Sequence, residues 1–245
     1  PYYKKRLTVY KSNNIIITIY VIMILVKNGK NMNKRLNMLY VNNINALNNY
    51  REKHSDNNLH GPLLLKLKNY FHQHNKLMVI GQETYGWCNS PDINEQLETY
   101  EEFDFGVSYY SSPFWNIIRK VERALGIEPY AIAWSNLNRF DVDCGSPDYT
   151  ELARDISSFD YILKEEINIL TPDICVFFTN HKYDYRLTSL YEDLMFENIN
   201  GLPEKHFVRL YHPDLPEYTI RAPHPKTIRI KGWENDFIKY IEAIK

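Results

Sequence analysis

The sequence predicts an α/β protein of three layers, α/β/α, in which helices cover both faces of a mainly parallel central sheet. Three short apolar runs, at Lys76–Ile80, Tyr130–Trp134 and Ile174–Phe178, have the length and residue types of buried strands. Amphipathic segments with helical spacing separate these runs. Strands that alternate with helices favour a parallel sheet, because each helix returns the chain to the edge at which the next strand begins.

The helices are predicted from apolar residues that recur three or four positions apart. The predicted helices are Asn33–Lys53, Leu63–His74, Pro113–Leu125, Leu152–Leu170 and Trp233–Ile244. The fourth is expected to end at Thr171-Pro172, because the residue before a proline is disfavoured in helical conformation. His206–Tyr211 and Tyr218–Arg221 are two further strand candidates.

The first thirty-one residues differ in character from the rest. The chain begins with Pro1, and Ile15–Val26 is an apolar run of twelve residues, shorter than the roughly twenty needed to cross a bilayer. We expect residues 1–31 to be a non-native upstream extension, with translation starting at Met32; the alternative is a membrane anchor. Residues 32–75 are then expected to form N-terminal helices that pack on the core, and residues 76–245 the α/β domain.

Composition excludes some classes of protein. The chain has 245 residues, 44% of them hydrophobic, which suits one packed domain with or without an N-terminal addition. The formal net charge of −1 excludes a general polycation, so any contact with nucleic acid requires a local basic face. The stretch Arg221–Lys231 contains four cations and no acid. It is either such a face or an ordinary solvated edge.

The cysteines indicate neither a metal site nor disulfides. The three residues, Cys88, Cys144 and Cys175, are far apart, and no CxxC pair is present. This pattern argues against a zinc site or a four-cysteine iron–sulfur cluster and favours free thiols in a reducing compartment. The cysteine pattern therefore predicts a cytoplasmic protein without a metal. We also expect a monomer with no other cofactor and no stable membrane association.

Polar clusters follow three of the predicted strands, at Gly81–Tyr85, Ser135–Asn138 and Thr179–Asp184. In open parallel sheets the ligand site lies outside the carboxyl ends of the strands. The three clusters are therefore expected to converge on one cleft. The alternative is that they are ordinary turn residues.

Four motifs follow one another along the chain: Gly81-Gln82-Glu83-Thr84-Tyr85, Ser112-Pro113-Phe114-Trp115, Asn136 at the end of YAIAWSN, and His224-Pro225 in RAPHPKTIR. They resemble, in the same order, the motifs of the uracil-DNA glycosylase superfamily. The resemblance covers about residues 76–245 and implies hydrolysis of the N-glycosidic bond of uracil, or of a related damaged or modified base, in DNA.

The resemblance assigns roles to the first motif. Gly81 and Gln82 would contact the flipped base, Gln82 through its backbone and side chain. Glu83 stands where the best-known branch has its water-activating aspartate, and Tyr85 where a tyrosine closes the pocket against a 5-methyl group. Thr84 in place of proline, Gly86 in place of histidine and the longer Glu83 are departures from the family pattern.

The second and third motifs would recognise the base. Phe114 would stack on it, with Trp115 or Phe105 as alternatives. Asn136 would pair with N3–H and O4 of uracil, since an amide offers one acceptor and two donors. Asn138 is a rival for that role, because strand spacing places it on the same face.

The fourth motif would act on the leaving base and on the DNA. His224 would donate to O2 of the departing uracil anion, and Ile228 stands where the family has an apolar wedge that holds an unstacked step open. Lys226 replaces the family's serine, and with Arg229 and Lys231 it is expected to contact the DNA backbone. Two alternatives remain open: a non-catalytic binder of modified or single-stranded DNA, and a glycosylase for another base or a nucleotide.

Overall fold

The computed structural model describes residues 29–109, 111–150 and 152–244. The predicted fold class is confirmed: a six-stranded, mainly parallel sheet is covered by helices. The expectations for residues 1–28, including the apolar run Ile15–Val26, lie outside the described residues. Within the described part of the chain, no helix is both long and apolar enough to cross a bilayer.

Eight strands form two sheets in the part of the chain that the structure describes. The strands are β1 (Leu59–His60), β2 (Leu77–Gly81), β3 (Ala133–Asn136), β4 (Asp141–Val142), β5 (Ile174–Phe177), β6 (Met195–Asn198), β7 (Val208–Tyr211) and β8 (Tyr218–Arg221). The central sheet has the order β3-β2-β5-β8-β7-β6. Its first four strands are parallel, whereas β7 and β6 are antiparallel to their neighbours. The short β1 and β4 pair separately.

The helices form the outer layers. They are α1 (29–53), α2 (Ile93–Phe103), α3 (Pro113–Leu125), α4 (Leu152–Ile156), α5 (Asp160–Leu170), α6 (Asp184–Leu190), α7 (Pro225–Ile230) and α8 (Glu234–Ala243). Helix α3 packs against α7 and α8, and α5 packs against α6. Helix α1 reaches α5 through the Tyr40 hydroxyl, which donates to Glu166 at 2.8 Å.

Several predicted elements match the structure. Helix α3 and strand β8 have the predicted bounds, and α5 ends at Leu170, directly before Thr171. The predicted helix Leu152–Leu170 is interrupted by a 3₁₀ turn at Ser157–Phe159. Helix α2 and strand β6 were not predicted.

The predicted helix Leu63–His74 is wrong. Residues 61–67 have no regular structure, and only Tyr70–His72 form a 3₁₀ turn. The amide of Leu63 donates to the carbonyl of Arg139 at 3.1 Å, and the amide of Leu65 donates to the Tyr40 hydroxyl at 3.0 Å. These distant partners satisfy the amides, so a helix is not needed to pair them.

The boundary predicted between residues 31 and 32 lies within helix α1. The helical residues of α1 run from 29, and a Cβ on Gly29 would come within 2.5 Å of the Phe71 ring. Buried residues of α1 and of the segment 61–71 belong to the same hydrophobic cluster as the sheet. The N-terminal part described here therefore shares the core of the α/β part.

A fully buried ion pair joins α1, α5 and the chain that follows β3. The guanidinium of Arg139 donates to both carboxylate oxygens of Glu166, at 2.7 and 2.6 Å, and to the carbonyl of Leu63 at 3.0 Å. Ser135 also donates to Glu166, at 2.8 Å. Removing one member of such a pair leaves an uncompensated buried charge.

We expect Arg139→Met to lower the free energy of unfolding by about 3–5 kcal/mol, because Glu166 then stays buried without its partner. Urea denaturation measures this change. The matched control is Lys53→Met, which removes an exposed ion pair with Asp155 and should cost less than about 1 kcal/mol. Equal losses in the two variants would contradict this account of the buried pair.

Candidate active site

The carboxyl ends of the parallel strands bring three of the four motifs to one edge. Gly81 pairs with Asn136 in the sheet register. The ladder continues past the strands, because the amide of Leu137 donates to the carbonyl of Gly81 at 3.0 Å and the amide of Asn138 to the carbonyl of Gln82 at 2.7 Å. On the side of β2 opposite β3, the amide of Ala222 donates to the carbonyl of Phe177 at 2.8 Å. This bond positions the loop that carries His224.

The second motif reaches the same edge from helix α3. This helix begins at Pro113 because the Ser112 side chain accepts from the amide of Trp115 at 3.2 Å, and it ends where Gly126 adopts a left-handed φ of 68°. Phe114 therefore lies in the first turn. Its ring centroid is 5.9 Å from that of His224, with 31° between the ring planes.

Gly81, Phe114, Asn136 and His224 form one cluster. A Cβ on Gly81 would lie 2.3 Å from Asn136 Oδ1 and 3.4 Å from Phe114 Cζ. Only glycine therefore allows the Asn136 amide to lie against the β2 backbone in this position. We call these four residues the pocket cluster.

The amide of Asn136 is buried and unpaired. Asn136 is 1% exposed, and neither its Oδ1 nor its Nδ2 has a hydrogen-bond partner among the described residues. A buried polar group without a partner costs about 1–3 kcal/mol, so such a group calls for an explanation. A ligand with a complementary donor and acceptor would provide one.

Asn138 does not compete with Asn136 for a ligand. Its Nδ2 donates to Glu83 Oε2 at 3.0 Å, and its Oδ1 accepts from Arg186. Both ends of this amide are therefore engaged within the chain.

His224 is held as a neutral ring with a defined tautomer. It caps α7: its Nδ1 accepts from the amide of Lys226 at 3.2 Å, so the ring proton lies on Nε2. Burial, with a smaller contribution from the charge of Lys226, lowers the pKa of His224 to about 4. The ring is therefore a neutral donor at physiological pH.

Glu83 lies in a poorly solvated position two residues after Gly81. Burial raises the pKa of Glu83, and the hydrogen bond from Asn138 opposes that rise. The side chain of the neighbouring Gln82 donates through Nε2 to the carbonyl of Thr179 at 3.2 Å. The Gln82 side chain is thus bonded to the loop after β5, while the Gln82 backbone continues the strand that ends at Gly81.

Tyr85 does not close the pocket. Its side chain is 86% exposed, so the sequence expectation for this residue is not met. The reason is local: Thr84, the residue before it, donates to Asp141 Oδ2 at 2.6 Å, and Gly86 follows with a left-handed φ of 75°. The chain is anchored on both sides of Tyr85, which leaves its side chain in solvent at the tip of the loop.

Asp141 is the anchor of that loop, and sequence reasoning missed it. Its Oδ2 accepts from Thr84 and from the amides of Gly86 and Trp87, while Oδ1 accepts from the amide of Cys144 at 3.0 Å and lies 2.8 Å from His60 Nδ1. Ligand atoms of these last two residues and Asp141 lie within 4.8 Å of one another. Because both oxygens already have protein donors, we interpret the group as a hydrogen-bonded anchor.

The expectation that Ile228 is a DNA wedge is wrong for this structure. Ile228 is 0% exposed, because positions 225 and 228 face the core from one side of α7. Ile230, at the end of the same helix, is 71% exposed and is the apolar residue that this helix presents to solvent. The helical period predicts this difference: Ile228 lies four residues after His224 and Ile230 lies six residues after it, so the two side chains leave the helix on different sides.

The basic stretch divides into buried and exposed members. Arg221 is buried and pairs with Asp184 through Nε at 2.9 Å, so it is not free to bind a phosphate. Lys226 and Lys231 are exposed. Arg229 is exposed and lies 3.6 Å from a carboxylate oxygen of Glu234.

Comparison with known proteins adds no family: no protein-family model matches the chain, and no curated protein matches it significantly.

We expect Gly81→Ala to displace the Asn136 amide and to cost about 1–3 kcal/mol of stability through overpacking. Urea denaturation measures the cost, and the side-chain amide resonance of Asn136 reports the displacement. The matched control is Gly145→Ala, whose added Cβ would meet its nearest neighbour at an ordinary 3.4 Å. If both variants behave alike, the close approach between Gly81 and Asn136 does not exist in solution.

Proposed function

We propose that the chain is a DNA glycosylase that hydrolyses the N-glycosidic bond of uracil, or of a related damaged or modified base, in DNA. The observation that carries the proposal is the unpaired, buried amide of Asn136. In one orientation its donor and acceptor match O4 and N3–H of uracil, and in the flipped orientation they match the opposite pattern of cytosine, so the amide is suited to read this edge of a pyrimidine base. The motif resemblance supports the same reading.

The rest of the pocket cluster suits a base that leaves as an anion. The Phe114 ring offers a stacking surface, an interaction worth about 1–3 kcal/mol per base. The Nε2–H of His224 is the donor for O2 of the departing base, on which negative charge develops. A neutral imidazole with a fixed tautomer needs no reorganisation to provide this bond.

In this proposal the carboxylate of Glu83 stabilises the positive charge that develops on the sugar. When the N-glycosidic bond breaks, positive charge develops on the sugar, and an ionised carboxylate opposes it and orients the attacking water. Because burial raises the pKa of Glu83, activity is expected above that pKa and is lost as the pH falls through it. His224 protonates at a lower pH, about 4, where its Nδ1 no longer accepts from the amide of Lys226.

Access to the base requires that it leave the stack. Ile230, the exposed apolar residue at the end of α7, is our candidate to fill the space that the base vacates. Lys226 and Lys231, four residues before it and one after it, are candidate cations for the phosphates. The three free cysteines fit a reducing, cytoplasmic setting. The proposed enzyme acts as a monomer without a cofactor.

A binder that does not hydrolyse is the second candidate. The exposed Tyr85 favours it, because this side chain does not enclose the pocket. Such a protein would use Phe114 and Asn136 but would have no need of Glu83.

Single-turnover release of uracil from an oligonucleotide separates the two candidates. We expect His224→Ala to lose about 10²–10³ in rate, the usual effect of removing one preorganised donor. Asn136→Asp should lose uracil recognition, because a carboxylate cannot donate to O4. Glu83→Gln should slow cleavage while binding persists.

The control for these variants is His72→Ala, which removes an exposed histidine outside the site and should cleave like the parent. A parent that binds uracil DNA but releases no base would establish the binder. A panel that also contains hypoxanthine, xanthine and hydroxymethyluracil identifies the base removed.

The basic face is tested by the salt dependence of binding. We expect Lys226→Ala, Arg229→Ala and Lys231→Ala together to weaken binding equally for all sequences and to reduce the slope of log K against log salt by up to about 0.9 per lost phosphate contact. The matched control removes the same charge elsewhere, at Lys34, Lys66 and Lys68. An unchanged slope in the first triple variant excludes this face from the DNA contact.

A further inference from the structure

Asn138 links the carboxylate of Glu83 to a buried ion pair. Its Nδ2 donates to Glu83 Oε2 at 3.0 Å, and its Oδ1 accepts from Nη1 of Arg186. Asn138 and Arg186 are 0% and 2% exposed. A flipped amide would direct Nδ2 at the guanidinium donors and Oδ1 at the carboxylate, so the two partners allow one orientation only.

Arg186 is itself fixed from two directions. Its Nε donates to Asp160 Oδ2 at 2.9 Å, and its Nη2 donates to the other oxygen of the same carboxylate. Nη2 also donates to the carbonyl of Leu137 at 3.1 Å. This bidentate geometry sets the plane of the guanidinium, so α5 and the end of β3 determine where Nη1 is directed.

We propose that Arg186 is a positioning residue for Glu83: it fixes Asn138 in the orientation that directs an N–H at the carboxylate. The role of Glu83 in catalysis rests on the proposed function. The hydrogen-bond relay, from Arg186 through Asn138 to Glu83, is present in the protein without substrate. The relay places one oxygen of Glu83 and favours its ionised form, because a donor to a carboxylate stabilises the charge.

The relay acts against the other influences on Glu83. Burial raises its pKa most, and the bond from Asn138 is the largest opposing effect. The remaining charged or titratable groups that face Glu83 or share its donor are Asp148 and Asp141, which raise its pKa, Lys182, which lowers it, and Tyr183, whose hydroxyl lies 3.3 Å from Asn138 Nδ2. Without the relay, burial and the two aspartates dominate.

Two variants test the relay from its two ends. Asn138→Asp keeps an acceptor for Arg186 but replaces the donor to Glu83 with an acceptor. The double variant Arg186→Met with Asp160→Asn removes both charges together, so no buried carboxylate stays unpaired. It removes the donor to Asn138 Oδ1, so the amide is then held through Nδ2 by Glu83 and the Tyr183 hydroxyl and is less firmly oriented. We expect the pKa of Glu83 to rise in both variants, by about one unit or more in Asn138→Asp.

Carbon-13 NMR of the Glu83 side-chain carboxyl, in the protein without DNA, measures this titration directly. The matched control is Tyr40→Phe, which removes a buried hydrogen bond to Glu166 outside the relay; it should lower stability but leave the Glu83 titration unchanged. In single-turnover cleavage, the acid limb of the pH profile should move to higher pH by the same shift, since activity requires the ionised carboxylate.

The proposal is overturned if Glu83 titrates as in the parent in the double variant, or if Tyr40→Phe shifts it equally. If the parent cleaves no substrate, the NMR titration still decides the relay, and only the proposed function fails. A shift in the double variant, with none in the control, supports the positioning role, because Asn138→Asp also adds a negative charge beside Glu83.

Discussion

The buried ion pair between Arg139 and Glu166 is the constraint on which the site depends. Two ions this deep in the core are tolerable only because each finds further partners: Tyr40 and Ser135 donate to the carboxylate, and Leu63 accepts from the guanidinium. These partners come from α1, β3 and the irregular segment 61–67. The pair therefore fixes the path of the chain as it leaves β3.

That fixed path places three neighbouring polar side chains in different directions. Asn138 is directed at Glu83, Arg139 at the core, and Asp141 at the loop that contains Thr84. The conformation of the first motif is thus held by hydrogen bonds to Asn138 and Asp141, about fifty-five positions later in the chain. Asn136, two residues before Asn138, is the member of this segment whose side chain has no partner among the described residues.

The elements that the sequence predicted well are those with local signals. Helix α3 has a serine cap and a proline at its start and a glycine at its end, and all three are visible in the sequence. The segment Leu63–His74 has the spacing of a helix, but its amides pair with Tyr40 and Arg139, and nothing local reveals such distant partners.

The site was predictable to the extent that it depends on motif order and strand ends. Gly81 and Asn136 lie side by side in the sheet, and Phe114 lies against both Gly81 and the His224 ring. The errors have physical causes. The wedge role of Ile228 was inferred from its position in the motif and not from the helical period. The charge of Arg221 is neutralised by Asp184, 37 positions earlier in the chain. Arg186 had no local signal at all, because its role depends on a buried contact with Asn138.

Of the two proposed functions, the distribution of polar groups fits the enzyme better than the binder. In both proposals, recognition of the base needs only Phe114 and Asn136. A binder gains nothing from a carboxylate whose burial makes ionisation costly, because an acidic group near a phosphate backbone weakens binding to DNA. Here Asn138 and a buried ion pair direct a donor at that carboxylate, which favours its ionised form. In the proposed enzyme an ionised Glu83 has a physical purpose, because positive charge develops on the sugar when an N-glycosidic bond breaks.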